Sequence, residues 1–531
     1  MTITEDIKSD AREELADLQR SPHFKASWQH AQQYLVQGSH APALASYRNL
    51  VQECPGVSQL WVELGLAAAG DLDFAQADES FQRAMELGSG DSSLLVSIGQ
   101  QYHRLRQLGA AYACFERAVT ADPSSVQARL SLAAWFERVR RLDDAWECVQ
   151  SCLAQHPKDS RALYFQAFLL HRKGLDAEAE AALRDLLKCG LLVSLDLQSD
   201  ANHLLGVVLD ALGQYDEAFG CLDKAKSLRR QKVNMAAFEQ AYNKMDGARR
   251  RLLAELTPET LRRWREEGAA DARDPYPLAL LCGPPRSGTT LIEQILGAHP
   301  DILVFDEAEA FAQELLNKIQ PAPPTPGLNF KSLNSLNAAR RAQLTRRYFK
   351  SLVREMPEKP DGKLLLDKNP STVASLHVWL RLFPESKVVV ALRDPRDIII
   401  SHYFQNLAST GQGVNFLSLE QAARFYSDCI DVWLRMRELG GFEWIETRYE
   451  DVVGNLEAEG RRVTNFLGLP WHESQSTYYE TARRKFIHSP TYNEATQPVY
   501  TKAVGRWGNY AEAMAPLQAR LEPYLRAFCY P

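Results

Sequence analysis

LALLCGPPRSGTTLIEQILGAHP, residues 278–300, predicts an α/β fold for the second half of the chain. It has the pattern of a short apolar strand, a glycine-containing loop and a helix, in which loop N–H groups and the positive helix end face an anion. Gly283 and Gly288 have the spacing of a nucleotide-binding P-loop, but Thr289 occupies the position of its Lys. Arg286 offers a planar fork of donors instead. The stretch therefore indicates a phosphate or sulfonate site and disfavours a kinase.

A second candidate anion site lies in KVVVALRDPRDIIISHY, residues 387–403. Its apolar strand ends at Arg393, and the helix that follows carries Ser401. A strand end and a helix can direct these two side chains to one phosphate.

The first half of the chain repeats itself with a period of about 34 residues. In the unit that begins at Ser92 the recurring positions are Leu95, Ile98, Gly99, Tyr102, Ala111, Phe115, Ala118 and Pro123. This pattern resembles the tetratricopeptide repeat, which implies a right-handed helical solenoid with a concave groove. About six repeats fit the sequence. The solenoid could hold an acceptor protein or peptide in its groove, or only stabilise or dimerise the chain, and a homo-oligomer stays open.

The sequence divides into four parts. Residues 1–21 are expected to form a helical extension, 22–232 the solenoid, 233–274 a solvated connecting helix, and 275–531 the α/β domain with a parallel sheet. The boundary before the last part rests on DARDPYP, residues 271–277, because its prolines restrict the backbone around them.

Composition excludes several classes of protein. The 531 residues include 61 Lys plus Arg and 67 Asp plus Glu, a net charge of -6, which disfavours nucleic acid and membrane surfaces as partners. The first residues are polar and acidic rather than signal-like, and no long apolar run follows. The nine cysteines are scattered and expected to be reduced, as in a cytoplasmic protein. His299 and His402 lack spaced ligand partners, so no metal is expected.

Six segments of the second half, in this order, resemble the sulfotransferase family, which uses 3′-phosphoadenosine 5′-phosphosulfate (PAPS) as donor. The chain looks most like the branch that contains protein-tyrosine sulfotransferases and bacterial tetratricopeptide-fused sulfotransferases. The matching segments are Pro285 to Leu291, His299 to Asp301, Asp367 to Pro370, Leu392 to Arg396 with Ser401, Arg448 to Asp451, and Gly505 to Trp507.

The resemblance implies a binding role for several residues. Those expected at the 5′-phosphosulfate are Arg286, Ser287, Gly288, Thr289 and Thr290. Arg393 and Ser401 would hold the 3′-phosphate, with Lys502 near the same loop, and Tyr449 would pack near the adenine. The product would be 3′-phosphoadenosine 5′-phosphate (PAP).

The resemblance also implies the catalytic groups. Glu307, the second carboxylate of the pair after His-Pro, would be the general base. Lys368 and Arg286 would stabilise charge that develops as the sulfur–oxygen bond breaks. Glu309 replaces the Arg that follows the pair in tyrosine sulfotransferases, and Thr491 replaces a more usual Ser.

Other interpretations of these residues stay open. Glu307 could act only through its charge at a helix N-terminus, Lys368 could be a surface lysine, and Tyr449 could be core. The proline-rich stretch 320–330 could gate the acceptor site or simply connect elements.

Three functions follow as hypotheses. The first is an enzyme that transfers the sulfonate of PAPS, with a protein or peptide tyrosine ahead of a carbohydrate or small-molecule hydroxyl. The second is a nucleotide-binding scaffold without catalysis. The third, a P-loop kinase, is disfavoured by Thr289.

Overall fold

A computed structural model describes residues 21–271, 276–319, 328–353, 360, 362–407, 411–487, 489 and 492–531. Thr491, most of the proline-rich stretch and all of the predicted N-terminal extension except Ser21 lie outside the described residues. The chain divides into two units, residues 1–174 and 175–531.

The first unit is a series of helices of similar length. Within its described residues they are α1 Pro22–Val36, α2 His40–Glu53, α3 Ser58–Gly70, α4 Phe74–Leu87, α5 Ser92–Arg104, α6 Leu108–Ala121, α7 Val126–Arg138, α8 Leu142–Gln155 and α9 Ser160–Arg172. Asp91 begins α5 by accepting hydrogen bonds from the N–H groups of Ser93 and Leu94, as an N-cap residue does. The predicted helical solenoid is confirmed.

Close helix approach explains the small residues of the repeat. At Gly99 in α5, an added Cβ would lie 2.6 Å from Cε1 of Phe115 in α6. At Gly65 in α3, an added Cβ would lie at the same distance from Cε1 of Phe81 in α4. The glycine therefore lets an aromatic ring of the paired helix fill the space against its backbone.

The second unit begins with helices and continues into an α/β domain. Its helices before the sheet are α10 Asp176–Lys188, α11 Leu195–Ala211, α12 Tyr215–Arg230, α13 Met235–Glu255 and α14 Pro258–Ala270. The α/β part then runs β1 Leu278–Cys282, α15 Thr289–Leu296, β2 Ile302–Asp306, a π-helix Phe311–Leu316, α16 Asn317–Ile319, α17 Phe330–Asn334, α18 Ala338–Val353, β3 Leu364–Lys368, α19 Leu376–Leu382, β4 Lys387–Leu392, α20 Pro395–Tyr403, α21 Leu419–Leu439, β5 Trp444–Arg448, α22 Tyr449–Gly454, α23 Leu456–Leu467, α24 Tyr478–Arg484, α25 Ala511–Met514 and α26 Gln518–Ala527.

The predicted connecting helix is two helices in the structure. Thr257 accepts a hydrogen bond from the Thr260 N–H and Pro258 follows it, so a new helix begins at this point. The pair is not wholly solvated, because Leu252 and Trp264 are each 1% exposed. These two side chains belong to the core of the α/β domain.

In the described residues, five strands form one parallel sheet in the order β2-β3-β1-β4-β5. Its central strands are apolar on both faces, as expected for a sheet covered by helices. Their carboxyl ends meet at one edge, where ligands bind in open α/β sheets. The predicted α/β domain with a parallel sheet is confirmed. None of the described helices has the length and apolarity to cross a membrane.

Candidate active site

The loop between β1 and α15 has an unusual backbone. Arg286 and Gly288 have φ values of 72° and 92°. Residue 288 must be a glycine, because an added Cβ on Gly288 would lie 2.6 Å from Cδ2 of Tyr449. A left-handed conformation at a non-glycine residue such as Arg286 costs on the order of 1–3 kcal/mol and persists where surrounding structure enforces it. The loop is therefore fixed in shape by its neighbours.

The side chains of Arg286 and Arg393 both lie at this loop. Arg286 Nε donates a hydrogen bond of 2.9 Å to Ser401 Oγ on α20. Arg393, just after β4, donates from Nη1 to the carbonyl oxygen of Arg286 at 3.3 Å. Its guanidinium carbon lies 4.8 Å from the centre of the Tyr449 ring. Burial lowers the pKa of Arg286. A bound anion would offset the cost of burying these cations.

These groups open onto one cavity of about 360 Å³ in the second unit. The predicted residues that line it are Arg286, Gly288, Thr289, Thr290, Glu307, Arg393, Ser401 and Tyr449. Unpredicted lining residues include Asn369, Ser371, Gln405, Tyr478, Glu494, Tyr500 and Arg506. The structure thus brings both candidate anion sites and the candidate base to one cavity.

Two buried polar atoms, one in the loop after β1 and one in the cavity lining, are compatible with an anionic ligand. Ser287 Oγ and Arg393 Nε find no hydrogen-bond partner among the residues that the structure describes. Buried donors are normally satisfied, and leaving one unpaired costs about 1–3 kcal/mol. A phosphate or sulfonate oxygen would supply the missing acceptor.

Beside the cavity, three carboxylates surround one lysine. Lys368, the last residue of β3, is fully buried. Its Nζ lies 2.5 Å from Asp306 Oδ1, 3.0 Å from Glu307 Oε1 and 3.2 Å from Glu293 Oε2. Asp306 and Glu307 follow from the end of β2, next to β3 in the sheet, whereas Glu293 comes from α15. The candidate base and the candidate cation are thus direct partners.

The charges in this cluster shift two pKa values. Burial and the nearby Asp306 raise the pKa of Glu293 to about 8. Burial alone would lower the pKa of Lys368, but the three carboxylates outweigh it and raise that pKa instead. These shifts favour a charged Lys368 and a protonated Glu293 near neutral pH.

The remaining predicted residues do not line the cavity. Lys368 lies behind Glu307 and is neither exposed nor a surface lysine. Lys502 is exposed and is not among the lining residues. Ser287 is buried within the loop.

Two further residues that the sequence did not predict lie next to the cavity lining. Glu293 resembles an ordinary polar position of a helix, although it falls three residues after Thr290, on the same helix face. Asp397 on α20 accepts hydrogen bonds of 2.8 Å from the N–H groups of Gly505 and Trp507. This carboxylate fixes the C-terminal segment that carries the lining residue Arg506.

A parallel sheet with a P-loop-like loop after β1 and a second arginine after β4 is an arrangement found in α/β proteins that bind phosphorylated ligands. Residues 277–473 match the model of the sulfotransferase family, and residues 92–125 and 199–232 match the tetratricopeptide repeat. The chain therefore joins tetratricopeptide repeats to a domain of the sulfotransferase family, a family of transferase enzymes.

Relatives of this chain include proteins with two kinds of acceptor in their names. Protein-tyrosine sulfotransferase A of Caenorhabditis elegans is 26% identical over 266 residues, which cover 48% of this chain and 67% of that protein. Heparan sulfate glucosamine 3-O-sulfotransferase 6 of Mus musculus is 24% identical, with 51% of this chain and 77% of that protein covered. An uncharacterized protein of Aquifex aeolicus (strain VF5) is 26% identical over 60% of this chain, but the match spans only 41% of that relative.

Proposed function

We propose that this protein transfers the sulfonate group of PAPS to an acceptor hydroxyl, with Glu307 as the general base. The observation that carries the proposal is the single cavity lined by Arg286, Arg393, Ser401 and Glu307. It combines donors for an anionic nucleotide with a carboxylate that can take a proton.

The donor site would use both arginines. Backbone N–H groups of residues 286–290 and the Arg286 side chain would bind the 5′-phosphosulfate, at the N-terminus of α15. Arg393 and Ser401 would bind the 3′-phosphate, with Tyr449 against the adenine. The unpaired Arg393 Nε supports this assignment because it is a buried donor of a residue that lines the cavity. PAPS supplies an activated sulfonate when it is bound.

The proposed transfer is direct and needs no covalent enzyme intermediate. The acceptor oxygen forms a bond to sulfur while the bond between sulfur and the phosphate oxygen breaks. A Glu307 carboxylate oxygen takes the hydroxyl proton, and the leaving phosphate oxygen keeps the electron pair. PAP and a sulfate ester are the products, and the carboxylate later returns its proton to solvent.

Lys368 would serve the reaction through its charge and its contact with the base. Its Nζ lies 3.0 Å from Glu307 Oε1, which orients that carboxylate. Positive charge next to the base also favours the transition state, in which negative charge builds up on the leaving oxygen. Arg286 would act on the same charge from the loop.

A protein or peptide tyrosine is the acceptor that we favour. The match to a protein-tyrosine sulfotransferase supports it, and a repeat groove suits an extended peptide. The match to a heparan sulfate enzyme supports a carbohydrate hydroxyl as the second candidate. We also propose a cytoplasmic, reducing location, because the nine cysteines are scattered along the sequence with no Cys-x-x-Cys pair.

Calorimetric titration with PAP, run beside magnesium-ATP, tests the donor site. Binding of PAP alone is the expected result, and binding of magnesium-ATP alone would favour a kinase. Transfer from labelled PAPS to a tyrosine peptide or to a heparan sulfate oligosaccharide then separates the two acceptors. PAP binding without transfer to any hydroxyl would favour the scaffold hypothesis.

A further inference from the structure

The tetratricopeptide repeat at residues 199–232 is built into the second unit rather than the first. Its helices α11 and α12 pack against the α/β domain. Phe219 stacks on Tyr403 at a ring distance of 5.3 Å, and Tyr215 meets the edge of Tyr510 at 5.8 Å. Such aromatic pairs contribute about 0.5–1.5 kcal/mol each beyond their buried area.

The repeat holds the chain that leaves α20, which is one wall of the cavity. Lys226 Nζ donates to the carbonyl oxygen of Gln405 at 2.6 Å, and Arg229 Nη1 donates to that of Leu407 at 2.5 Å. Gln405 and Leu407 both line the cavity. These donors satisfy carbonyl groups of the segment that follows the end of α20, which would otherwise need other partners.

A third contact to this wall comes from α11. His203 Nε2 lies 3.1 Å from the carbonyl oxygen of Phe404. Burial lowers the pKa of His203 to about 3, so the ring is neutral. Because a carbonyl only accepts, Nε2 carries the proton and donates it. Three side chains of one repeat thus bind carbonyl groups that begin three residues after Ser401.

The same repeat also contacts a second segment of the cavity lining. Asp210 on α11 accepts hydrogen bonds from Arg506 Nη2 at 2.8 Å and from the Tyr510 hydroxyl. Arg506 lines the cavity, as does Ala503, whose carbonyl accepts from Arg393 Nη2. The repeat is therefore bonded to both segments that flank the candidate 3′-phosphate site.

We propose that the repeat at residues 199–232 is a positioning element of the donor site. In this proposal Lys226 and Asp210 set the affinity for the donor by fixing the two cavity-lining segments that contain Gln405 and Arg506. The proposal rests on the proposed function, since the ligand is the donor nucleotide. A partner that displaced α11 and α12 would weaken donor binding without touching the donor.

The first test needs no ligand. Amide hydrogen exchange of the full chain compares wild type with Lys226→Met, Asp210→Asn and the control Lys224→Met, an exposed lysine on the same helix. Faster exchange at residues 403–407 in the first variant and at 503–507 in the second supports the proposal. Exchange like that of wild type in both segments overturns it, whether or not the protein binds PAP.

The second test is titration of the same proteins with PAP. Binding about 10-fold weaker in both positioning variants, at unchanged stoichiometry, is expected. A fall in stoichiometry at unchanged Kd would show only loss of folded protein and would overturn the proposal. Lys226→Arg keeps a hydrogen-bond donor at this position and should restore most of the affinity. If wild type itself fails to bind PAP, the proposed function fails, while the exchange result still decides the structural role.

Discussion

Replacing Glu293 by Gln should make the protein more stable, and increasingly so as the pH rises. Glu293 is 3% exposed and its pKa is raised from 4.5 to about 8 by burial and by Asp306. Between these two values the unfolded chain has released the proton while the folded chain keeps it. The folded state then binds more protons, so the free energy of unfolding falls with pH.

The size of the effect follows from the two pKa values. Between the two pKa values, each pH unit lowers the free energy of unfolding by about 1.4 kcal/mol. Glu293 therefore lowers it by about 3 kcal/mol at pH 7 and about 5 kcal/mol at pH 9. Below pH 4.5 the cost is absent, because Glu293 is protonated in both states. Gln has the shape of the protonated form and no proton to lose. The variant should therefore have the same free energy of unfolding as wild type at acidic pH. At pH 7 and pH 9 its free energy of unfolding should be higher by these amounts.

Urea unfolding at pH 5, 7 and 9, followed by tryptophan fluorescence, measures this difference. Trp264, Trp379 and Trp433 are buried in the second unit and report on its unfolding. Glu309→Gln, which removes an exposed carboxylate close by, is the matched control and should leave the pH dependence unchanged. Equal pH slopes in wild type and Glu293→Gln would refute the buried, protonated carboxylate.

Three further variants test the site. Glu307→Gln should lower turnover by about 10²–10⁴-fold, the usual contribution of a general base, while PAP affinity measured by calorimetry stays within a few-fold; an active variant would require another base. Lys368→Ala should lower turnover more than donor affinity, and should also destabilise the chain by about 3–5 kcal/mol because the carboxylates of Asp306 and Glu307 lose their cation. Equal losses in turnover and affinity would contradict a role in the transition state. Arg393→Ala should weaken PAP binding by about 10–100-fold through lost charge-assisted hydrogen bonds, and unchanged affinity would remove this residue from the donor site.

Local patterns in the sequence predicted the fold and much of the cavity. The spacing from Gly283 to Gly288 and the apolar runs before Lys368 and Arg393 each mark a strand end. Strand ends of a parallel sheet lie together. Proximity of Arg286, Arg393 and Ser401 follows from that rule even though over 100 residues separate the first two in sequence.

Contacts between distant elements were not predictable in this way. Glu293 lies in a helix whose sequence does not show that Lys368, two strands away along the chain, will face it. The repeat at residues 199–232 has the same period as its predecessors, and periodicity does not reveal which neighbour a helix packs against. Thr257 and Pro258 form a capping pattern that marks a new helix, although the charged stretch around them favours one continuous helix.

The contacts between the repeat at residues 199–232 and the cavity lining can form only late in synthesis, because the partner residues are made long after the repeat. Lys226 and its acceptor Gln405 are 179 residues apart, and ribosomes add about 5–20 residues per second. The face of α12 that carries Tyr215 and Phe219 is consequently made about 10–35 s before Tyr403, the partner of Phe219, and about 15–60 s before Tyr510, the partner of Tyr215. During that interval a nascent chain displays an aromatic surface that the finished protein hides. Rare codons that slow translation between residues 230 and 405 would prolong the exposure of this aromatic surface. Aggregation during expression should therefore depend on the translation speed in that segment.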